Sequence, residues 1–368
     1  MTGDPAARTP HGLIIGKLYP PHSGHERLVR AAAAASDRVT VLVLGKAAQS
    51  RPPHQRAAWL AEAVADLDNV TVLGDIDPHR TDYADPAVWD LHIAEIHRML
   101  ATVTDQPVTA IFSSEPYGDE LAARLEARHV AVDPQRVAVP ISATAVRADP
   151  VATWEWLPLS VRGALALRVV VVGAESTGKT TLAEALVDRL QARGGSHRLT
   201  TWVPEYGRER TIELLALARA ADPSATIDDV AWPTAEFVRI ARVQDEQEDE
   251  AARGGGPVLM CDTDAFATGI WHERYRGKPS AEVDALARRH PLYLVTHPDG
   301  VPFEADDIRD GEHLRPWMTD RFVAALTETG RRHVVLHGSP DDRLDAAEAA
   351  IDHLIAEGWG FTDPADWT

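Results

Sequence analysis

Two α/β domains in tandem, each a parallel sheet with helices on both faces, are what the sequence predicts. Three observations predict them. Short apolar runs rich in valine, leucine and isoleucine alternate with longer helical segments. The alternation closes near residue 160 and restarts at Leu167, so the domains are expected at 11–163 and 167–358. Each half also places a glycine-containing junction after its first apolar run: "GKLYPPHSGHERL" (Gly16–Leu28) and "GAESTGKTTL" (Gly173–Leu182). At 368 residues the chain has the length for two ordinary domains.

In the first half, "GLII" (12–15), "RVTVLVLG" (38–45), "NVTVLG" (69–74) and "VTAIFSS" (108–114) read as strands. "HERLVRAAAAASD" and "PHQRAAWLAEAVADL" read as helices between them, the five alanines Ala31–Ala35 suiting close helix packing. "PVATWEWLPLSVRG" (150–163) closes the half as a helix and connection. In the second half the strands are "LRVVVVG" (167–173), the apolar "TTWV", "PVLMCD" (257–262), "PLYLVT" (291–296) and "RHVVLHG" (332–338). "EFVRIARVQDEQEDEAAR" reads as a charged helix stopped by the glycines 254–256. The tail "EGWGFTDPADWT" reads as an irregular cap. Ligand sites in such sheets lie beyond the carboxyl ends of the strands.

Hydrophobic residues make up 45% of the chain and charged residues 25%, enough for cores with a polar surface. The formal net charge of -19 argues against nucleic acid or an anionic membrane as a partner, so anionic ligands must be held by local fields. A single cysteine, Cys261, excludes an internal disulfide and suits a reducing compartment. No signal-peptide pattern and no apolar run of membrane-spanning length is present, so a cytoplasmic protein is expected.

Gly173-Ala-Glu175-Ser176-Thr177-Gly178-Lys179-Thr180 satisfies G-x-x-x-x-G-K-[ST] between a strand and a helix. Glycines let backbone N–H groups turn inward around phosphate oxygens, and the following helix aims its positive end at them. Lys179 suits the β- and γ-phosphates, the Thr180 hydroxyl suits Mg²⁺, and Thr181 completes the helix start. This is the pattern of an ATP site. Three clusters would complete it. "VPEYGRER" (203–210) brings Glu205, Tyr206 and Arg208 to a strand end, and "MCDTDAF" (260–266) brings Asp262 and Asp264. A carboxylate there holds the Mg²⁺ shell or accepts a proton from an attacking hydroxyl; Asp264 equally suits a helix N-cap. "PFEADDIRDGEHLR" (302–315) suits a mobile lid carrying Arg309 to the transferring phosphate, or a solvated loop.

The first junction has a similar logic. Gly16 and Lys17 end a strand, Gly24 permits close approach, and His22 and His25 share one side of a helix start that favours anions. An imidazole donates in either charge state and can become cationic beside phosphate. Two histidines at this spacing also suit zinc, although no cysteine or carboxylate stands nearby to complete a set. "ISATAVRAD" (141–149) adds Ser142, Thr144 and Arg147 at another helix start, where hydroxyls and a guanidinium meet polyphosphate. Ser142 suits an N-cap as well, and Arg147 a surface ion pair.

"GKLYPPHSGH" with "ISATAVR" resembles the paired signature of the nucleotidylyltransferase superfamily, with Leu18 for the usual Phe and Ser23 for the frequent Thr. Adding "GAESTGKT", "VPEYGRE", "DTD" and "ADDIR" in that order, residues 11 to 355 resemble the bifunctional nicotinamide-nucleotide adenylyltransferase/ribosylnicotinamide kinase family, the NadR type. "WEWLP" and the Ser113–Glu115 triplet belong to the same likeness. The resemblance implies a Rossmann-like nucleotidylyltransferase domain followed by a P-loop kinase domain. It implies small-molecule substrates (nicotinamide riboside, NMN and ATP) with Mg²⁺. By it, Lys17, His22 and His25 contact ATP phosphates with Ser142, Thr144 and Arg147 closing over them. Trp89 and Asp90 fall in the family's tryptophan-containing segment and would stack on and orient nicotinamide; a tryptophan there also suits the core. Glu205 or Asp262 would serve the kinase hydroxyl, with Thr180 and Asp262 as metal ligands. Some members carry an N-terminal DNA-binding helix-turn-helix, for which the ten or so residues before the first strand leave no room. A homo-oligomer is compatible with the sequence. The rival readings are a nucleotidyltransferase for another phosphorylated metabolite fused to a different kinase, and a nucleotide-sensing regulator.

Overall fold

Sheets of parallel strands buried on both faces organise the computed structural model, which describes residues 8–82, 84–306 and 308–362. The chain divides into two compact units, Met1–Val161 with Trp359–Thr368, and Arg162–Gly358. The first contains β1 (Thr9–Gly16), α1 (Ser23–Ala35), β2 (Ser36–Gly45), α2 (Pro53–Ala63), β3 (Val70–Ile76), α3 (Pro86–Leu100), β4 (Ala110–Ser113), α4 (Tyr117–Arg124), β5 (Arg128–Ala131) and α5 (Ala143–Ala148). A single 3₁₀ turn at Trp154–Trp156 and α6 (Leu159–Leu165) follow.

All strand pairs of the first sheet are parallel, in the order β3-β2-β1-β4-β5. Alternation along each strand assigns the two faces. Ile14, Val41 and Val43 meet Val29, Ala32 and Leu60 of α1 and α2. Their neighbours Leu13, Leu42 and Leu44 meet Trp89, Ile96, Met99 and Leu121 of α3 and α4. Complete burial of each such aliphatic side chain is worth about 1.5–3 kcal/mol, so a slip of one residue would exchange both faces at large cost. Within the alanine run of α1, Ala32 and Ala33 are buried and Ala34 is exposed, so only part of the run provides the close packing. Helix α1 passes into β2 at Ser36 without a loop.

The second unit runs β6 (Leu167–Gly173), α7 (Lys179–Ala192), β7 (Thr201–Val203), α8 (Tyr206–Ala221), α9 (Thr234–Gly254), β8 (Val258–Asp262), α10 (Ala265–Arg276), α11 (Ala281–Asp284), β9 (Leu292–Thr296), α12 (Arg315–Glu328), β10 (His333–Leu336) and α13 (Pro340–Glu357). Its parallel sheet has the order β10-β9-β6-β8-β7. Val170, Val172, Leu259, Cys261, Tyr293 and Val295 share a core with Phe266 and Ile270 of α10 and Phe322 and Leu326 of α12. Helices α7 and α13 pack against the sheet and one another. In both units the chain leaves the central strand in one direction and later returns to the other side of it. The carboxyl end of that central strand is thus where neighbouring loops diverge and a cleft opens.

Residues 302–306 and 308–311 have no regular structure, and a 3₁₀ turn at Glu312–Leu314 leads into α12. Of the C-terminal tail, Trp359–Thr362 pack on the first unit. Phe361 stands edge-on to Tyr19 at 5.5 Å, and Thr362 N donates to the Tyr19 hydroxyl at 3.0 Å. Residues 363–368 of that segment lie outside the described residues. Among the described residues, no helix is long and apolar enough to cross a membrane.

Candidate active sites

A cavity of about 630 Å³ opens at the carboxyl end of the first sheet, within the range typical of small-molecule sites. Gly16, Lys17, His22, Gly24, His25, Ser142, Thr144 and Arg147 all line it, so residues from both ends of the unit converge there. The turn after β1 is tight: Leu18 has φ 45, and a Cβ on Gly16 would meet the Leu18 side chain at 2.7 Å. His22 caps α1, its Nδ1 accepting from Gly24 N at 3.1 Å, while His25 Nδ1 accepts from His22 N at 3.3 Å. The two rings stack 3.7 Å apart.

This geometry fixes the histidines' chemistry. Each Nδ1 is an acceptor, so a neutral ring carries its proton on Nε2 and donates from there. Burial pushes the His22 pKa down to about 4, with Arg136 acting the same way. Burial, His22 and Arg136 hold His25 well below the usual histidine value. Without a bound anion both rings are therefore favoured as neutral donors, because desolvation penalises the imidazolium. Lys17 lines the same cavity, its own pKa lowered by burial and then by Lys46 and Arg147 nearby. Ser142 caps α5 through Ala145 N, and Arg147 donates to Tyr19 O at 2.6 Å and Thr144 Oγ1 at 3.2 Å with its guanidinium over the Tyr19 ring.

Trp89 also lines this cavity, with the Arg124 guanidinium 5.4 Å from its ring centre. Asp90 does not. It points outward, 77% exposed, and pairs with Arg124 at 2.8 Å. One residue along a helix turns by about 100°, which puts Trp89 on the cavity side of α3 and Asp90 on its exposed side, with Arg124 reaching both. The polar group on the cavity side of α3 is His92, whose Nδ1 lies 3.1 Å from Asp77 Oδ2, and both residues line the cavity. Neither was singled out from the sequence, since Asp77 follows an edge strand and carries no motif.

In the second unit a cavity of about 620 Å³ surrounds the loop between β6 and α7. The loop turns on Ser176 at φ 51 and Gly178 at φ 84, and a Cβ on Gly173 would meet Thr296 Oγ1 at 2.3 Å. Gly173 thus serves close packing against β9, while Ser176 to Thr181 line the cavity. Thr177 Oγ1 bonds Thr296 Oγ1 at 2.6 Å, and Lys179 Nζ donates to Ala174 O at 3.1 Å, holding the lysine over its own loop. Glu175 also lines the cavity, and its carboxylate accepts from Arg274 at 2.9 Å and from Gly311 N at 2.8 Å, which braces the loop.

Thr180 Oγ1 donates to Asp262 Oδ2 at 2.5 Å, and Asp262 Oδ1 is buried without a hydrogen bond. A hydroxyl beside a carboxylate with one oxygen unmatched suits a hard cation such as Mg²⁺. Burial pushes the Asp262 pKa up, against Lys179 and the Thr180 hydroxyl. Glu205 lines the cavity; burial and then the Asp262 charge raise its pKa, with Lys179 opposing between them. Asp264 is different. Fully buried, it caps α10 through Ala267 N at 2.9 Å and accepts from the Tyr293 hydroxyl at 2.8 Å, outside the cavity wall. Its expected ligand role is replaced by the N-cap. Tyr206 likewise is buried outside the wall, its N–H donating to Gln244 Oε1 at 3.0 Å.

Described residues of the 302–315 segment contact the rest of the unit: Glu304 N donates to Ser176 Oγ at 3.2 Å and Asp306 pairs with Arg208 at 2.9 Å. Arg309 lines the cavity and donates to Glu304 O at 2.9 Å. An aromatic wall went unread in the sequence. Trp232, Phe237, Trp271 and Tyr275 line the cavity, with Trp232 and Tyr275 stacked at 5.2 Å. These residues come from a loop and two helices, so no spacing announces them.

Residues 168–343 match the family model described as an AAA domain. Over 309 aligned residues the chain is 26% identical to the trifunctional NAD biosynthesis/regulator protein NadR of Escherichia coli (strain K12), covering 81% of this chain and 71% of that protein. A crystal structure of NadR protein in complex with NR is similar at a TM-score of 0.65 and 21% identity, covering 94% of this chain and 96% of that one. A second, of NadR protein in complex with NAD and AMP-PNP, has a TM-score of 0.68 at the same identity and coverage. The likeness extends over residues of both units.

Proposed function

We propose that this chain, a homologue of the NadR proteins, phosphorylates nicotinamide riboside to NMN in its second unit and adenylylates NMN to NAD in its first. The observation that carries the reading is that each unit gathers its own set of residues suited to phosphate around a cavity at the carboxyl end of its own sheet. In this reading the first unit is a nucleotidylyltransferase domain and the second a P-loop kinase domain.

In the first unit an NMN phosphate oxygen attacks the α-phosphorus of ATP, and pyrophosphate leaves. The nucleophile is already anionic, so no protein base is needed. Catalysis comes from alignment and from donors aimed at the charge growing on the leaving group. The Nε2–H groups of His22 and His25, the Lys17 ammonium and Arg147 supply those donors, with Ser142 and Thr144 beside them. Neutral histidines suit the role, because a donor that holds its proton throughout needs no rearrangement as charge develops. Trp89 offers an apolar surface to the nicotinamide, and Asp77 with His92 lies in reach of polar groups on that nucleotide.

In the second unit the phosphate loop with Lys179 holds ATP, and Arg309 and Arg208 line the same cavity. Thr180 and Asp262 would hold Mg²⁺, which neutralises phosphate charge when bound. That leaves Glu205, which lines the cavity with a raised pKa, to accept the proton of the riboside hydroxyl. The aromatic wall of Trp232, Trp271 and Tyr275 is suited to stacking with the cationic nicotinamide ring. Incubating the protein with Mg-ATP and nicotinamide riboside alone tests the reading: NAD should appear after NMN. Absence of both products would refute it.

A further inference from the structure

Neither reaction uses a cluster at the carboxyl ends of β9 and β10. These strands pair in parallel with Thr296 opposite Leu336, so His297 and His337 are the next residues of the two chains side by side. His297 N donates to Leu336 O at 3.2 Å and continues the ladder one step. The two imidazoles lie 4.4 Å apart. Asp299 follows two residues on, with Oδ2 3.3 Å from His297 Nδ1. One ligand atom from each of these three residues lies within 4.8 Å of the others, the only such grouping found among the described residues.

We propose that His297, Asp299 and His337 form a binding site for one divalent transition ion of the Zn²⁺ or Co²⁺ class, with water completing the shell. Two imidazoles and one carboxylate are borderline donors that favour such ions over Mg²⁺, which takes oxygen ligands. Bonds of about 2.0–2.1 Å in a tetrahedral shell place ligand atoms about 3.3 Å apart, so the side chains must close by roughly an ångström or more. Asp299 and His337 are exposed and His297 is partly so, and their rotamers can make that change. Their backbones are held: Asp299 O accepts from Arg343 Nη2 at 2.7 Å, and Arg343 also donates to Gly338 O at 3.0 Å.

The site has a structural consequence. Gly300 and Val301 follow Asp299, Gly338 and Ser339 follow His337, and all four line the cavity around the phosphate loop. An ion shared by His297, Asp299 and His337 cross-links the two loops that carry this wall and slows their opening. It is distinct from the Thr180–Asp262 position, which presents only oxygen.

The test uses the full-length, untagged chain stripped with chelator and titrated with Co²⁺ alone, without nucleotide. One Co²⁺ should bind with a visible d–d band, be displaced by Zn²⁺, and slow amide exchange at residues 297–301 and 337–339. His297→Ala and His337→Ala should each weaken that binding by at least about tenfold. Both positions are outside the core, and an unchanged melting curve would show that each variant folds. A double variant that binds Co²⁺ with the parent's affinity, or a parent chain that binds none at about 100 μM, overturns the proposal.

Discussion

Replacing Gly24 with alanine tests how much of adenylyl transfer rests on the position of one imidazole. The added Cβ would lie 2.9 Å from His22 Cε1 and 3.0 Å from its Nδ1. Alanine favours a helix by at most about 1 kcal/mol over glycine, and less at this second helical position. Against that stands a ring that has nowhere to retreat, since His22 is 5% exposed and stacked on His25 at 3.7 Å. Relief requires the ring to swing away, which breaks the bond from Gly24 N to His22 Nδ1 and with it the cap on α1. That loss is about 1 kcal/mol, so stability should change little in either direction. Function should change more. A displaced Nε2–H forfeits a hydrogen bond to anionic phosphate worth about 1.5–3 kcal/mol, or roughly tenfold to hundredfold in kcat/KM for NAD formation from NMN. The assay measures NAD from NMN and Mg-ATP, with nicotinamide riboside phosphorylation as the internal control expected to stay at the parent rate. A folded Gly24→Ala chain with undiminished NAD formation would refute the argument that His22 is positioned by its cap.

Two further predictions concern protons in the second unit. Glu205→Gln should lower kcat for NMN formation by at least about a hundredfold while ATP still binds. In the parent, because burial raises the Glu205 pKa, activity should fall on the acid side at a higher pH than an ordinary carboxylate would give; a limb at the ordinary carboxylate position would contradict the assignment. The second prediction concerns stability. Glu248 is fully buried and its pKa is pushed up to about 8 by burial and the Asp264 charge. A folded state that holds a proton more tightly than the unfolded chain gains stability as pH falls through the folded value. His290, pushed down to about 3 by burial, works in the opposite sense below its unfolded value of 6.5. The window is therefore pH 8 to 6.5, in which resistance to urea should rise as pH falls, by at most about 1.4 kcal/mol per pH unit. Glu248→Gln should flatten that slope, and an equal slope in the variant would exclude Glu248 as its source.

Much of this was legible because parallel strands covered on both faces must be apolar at nearly every position. The runs containing Leu13, Val41 and Val170 announce themselves for that reason. β5, a four-residue edge strand with no fully buried residue, has no such requirement, and its sequence Arg128–Ala131 gave no signal. The glycine-containing junctions were legible because tight turns and close approaches constrain the backbone: a Cβ on Gly16 would meet Leu18, and one on Gly173 would meet Thr296. Protonation was not. Burial, a tertiary effect that no motif records, lowers the pKa of both His22 and His25 in the ligand-free chain. Likewise Asp262 and Asp264 look equivalent in "DTD", yet one turns to Thr180 and the other caps α10. The aromatic wall was invisible because Trp232 and Tyr275 meet only in the folded unit.

Blocking the two sites one at a time tests the central claim most directly. Lys179→Ala and His25→Ala chains would each be given Mg-ATP with nicotinamide riboside, or Mg-ATP with NMN, and NMN and NAD would be followed in every mixture. The account predicts that Lys179→Ala makes neither product from the riboside but makes NAD from NMN at the parent rate. His25→Ala should convert the riboside to NMN at the parent rate and form NAD at least about tenfold more slowly. If folded Lys179→Ala loses NAD formation from NMN as well, or if His25→Ala stops riboside phosphorylation, two independent phosphate sites on one chain is the wrong description.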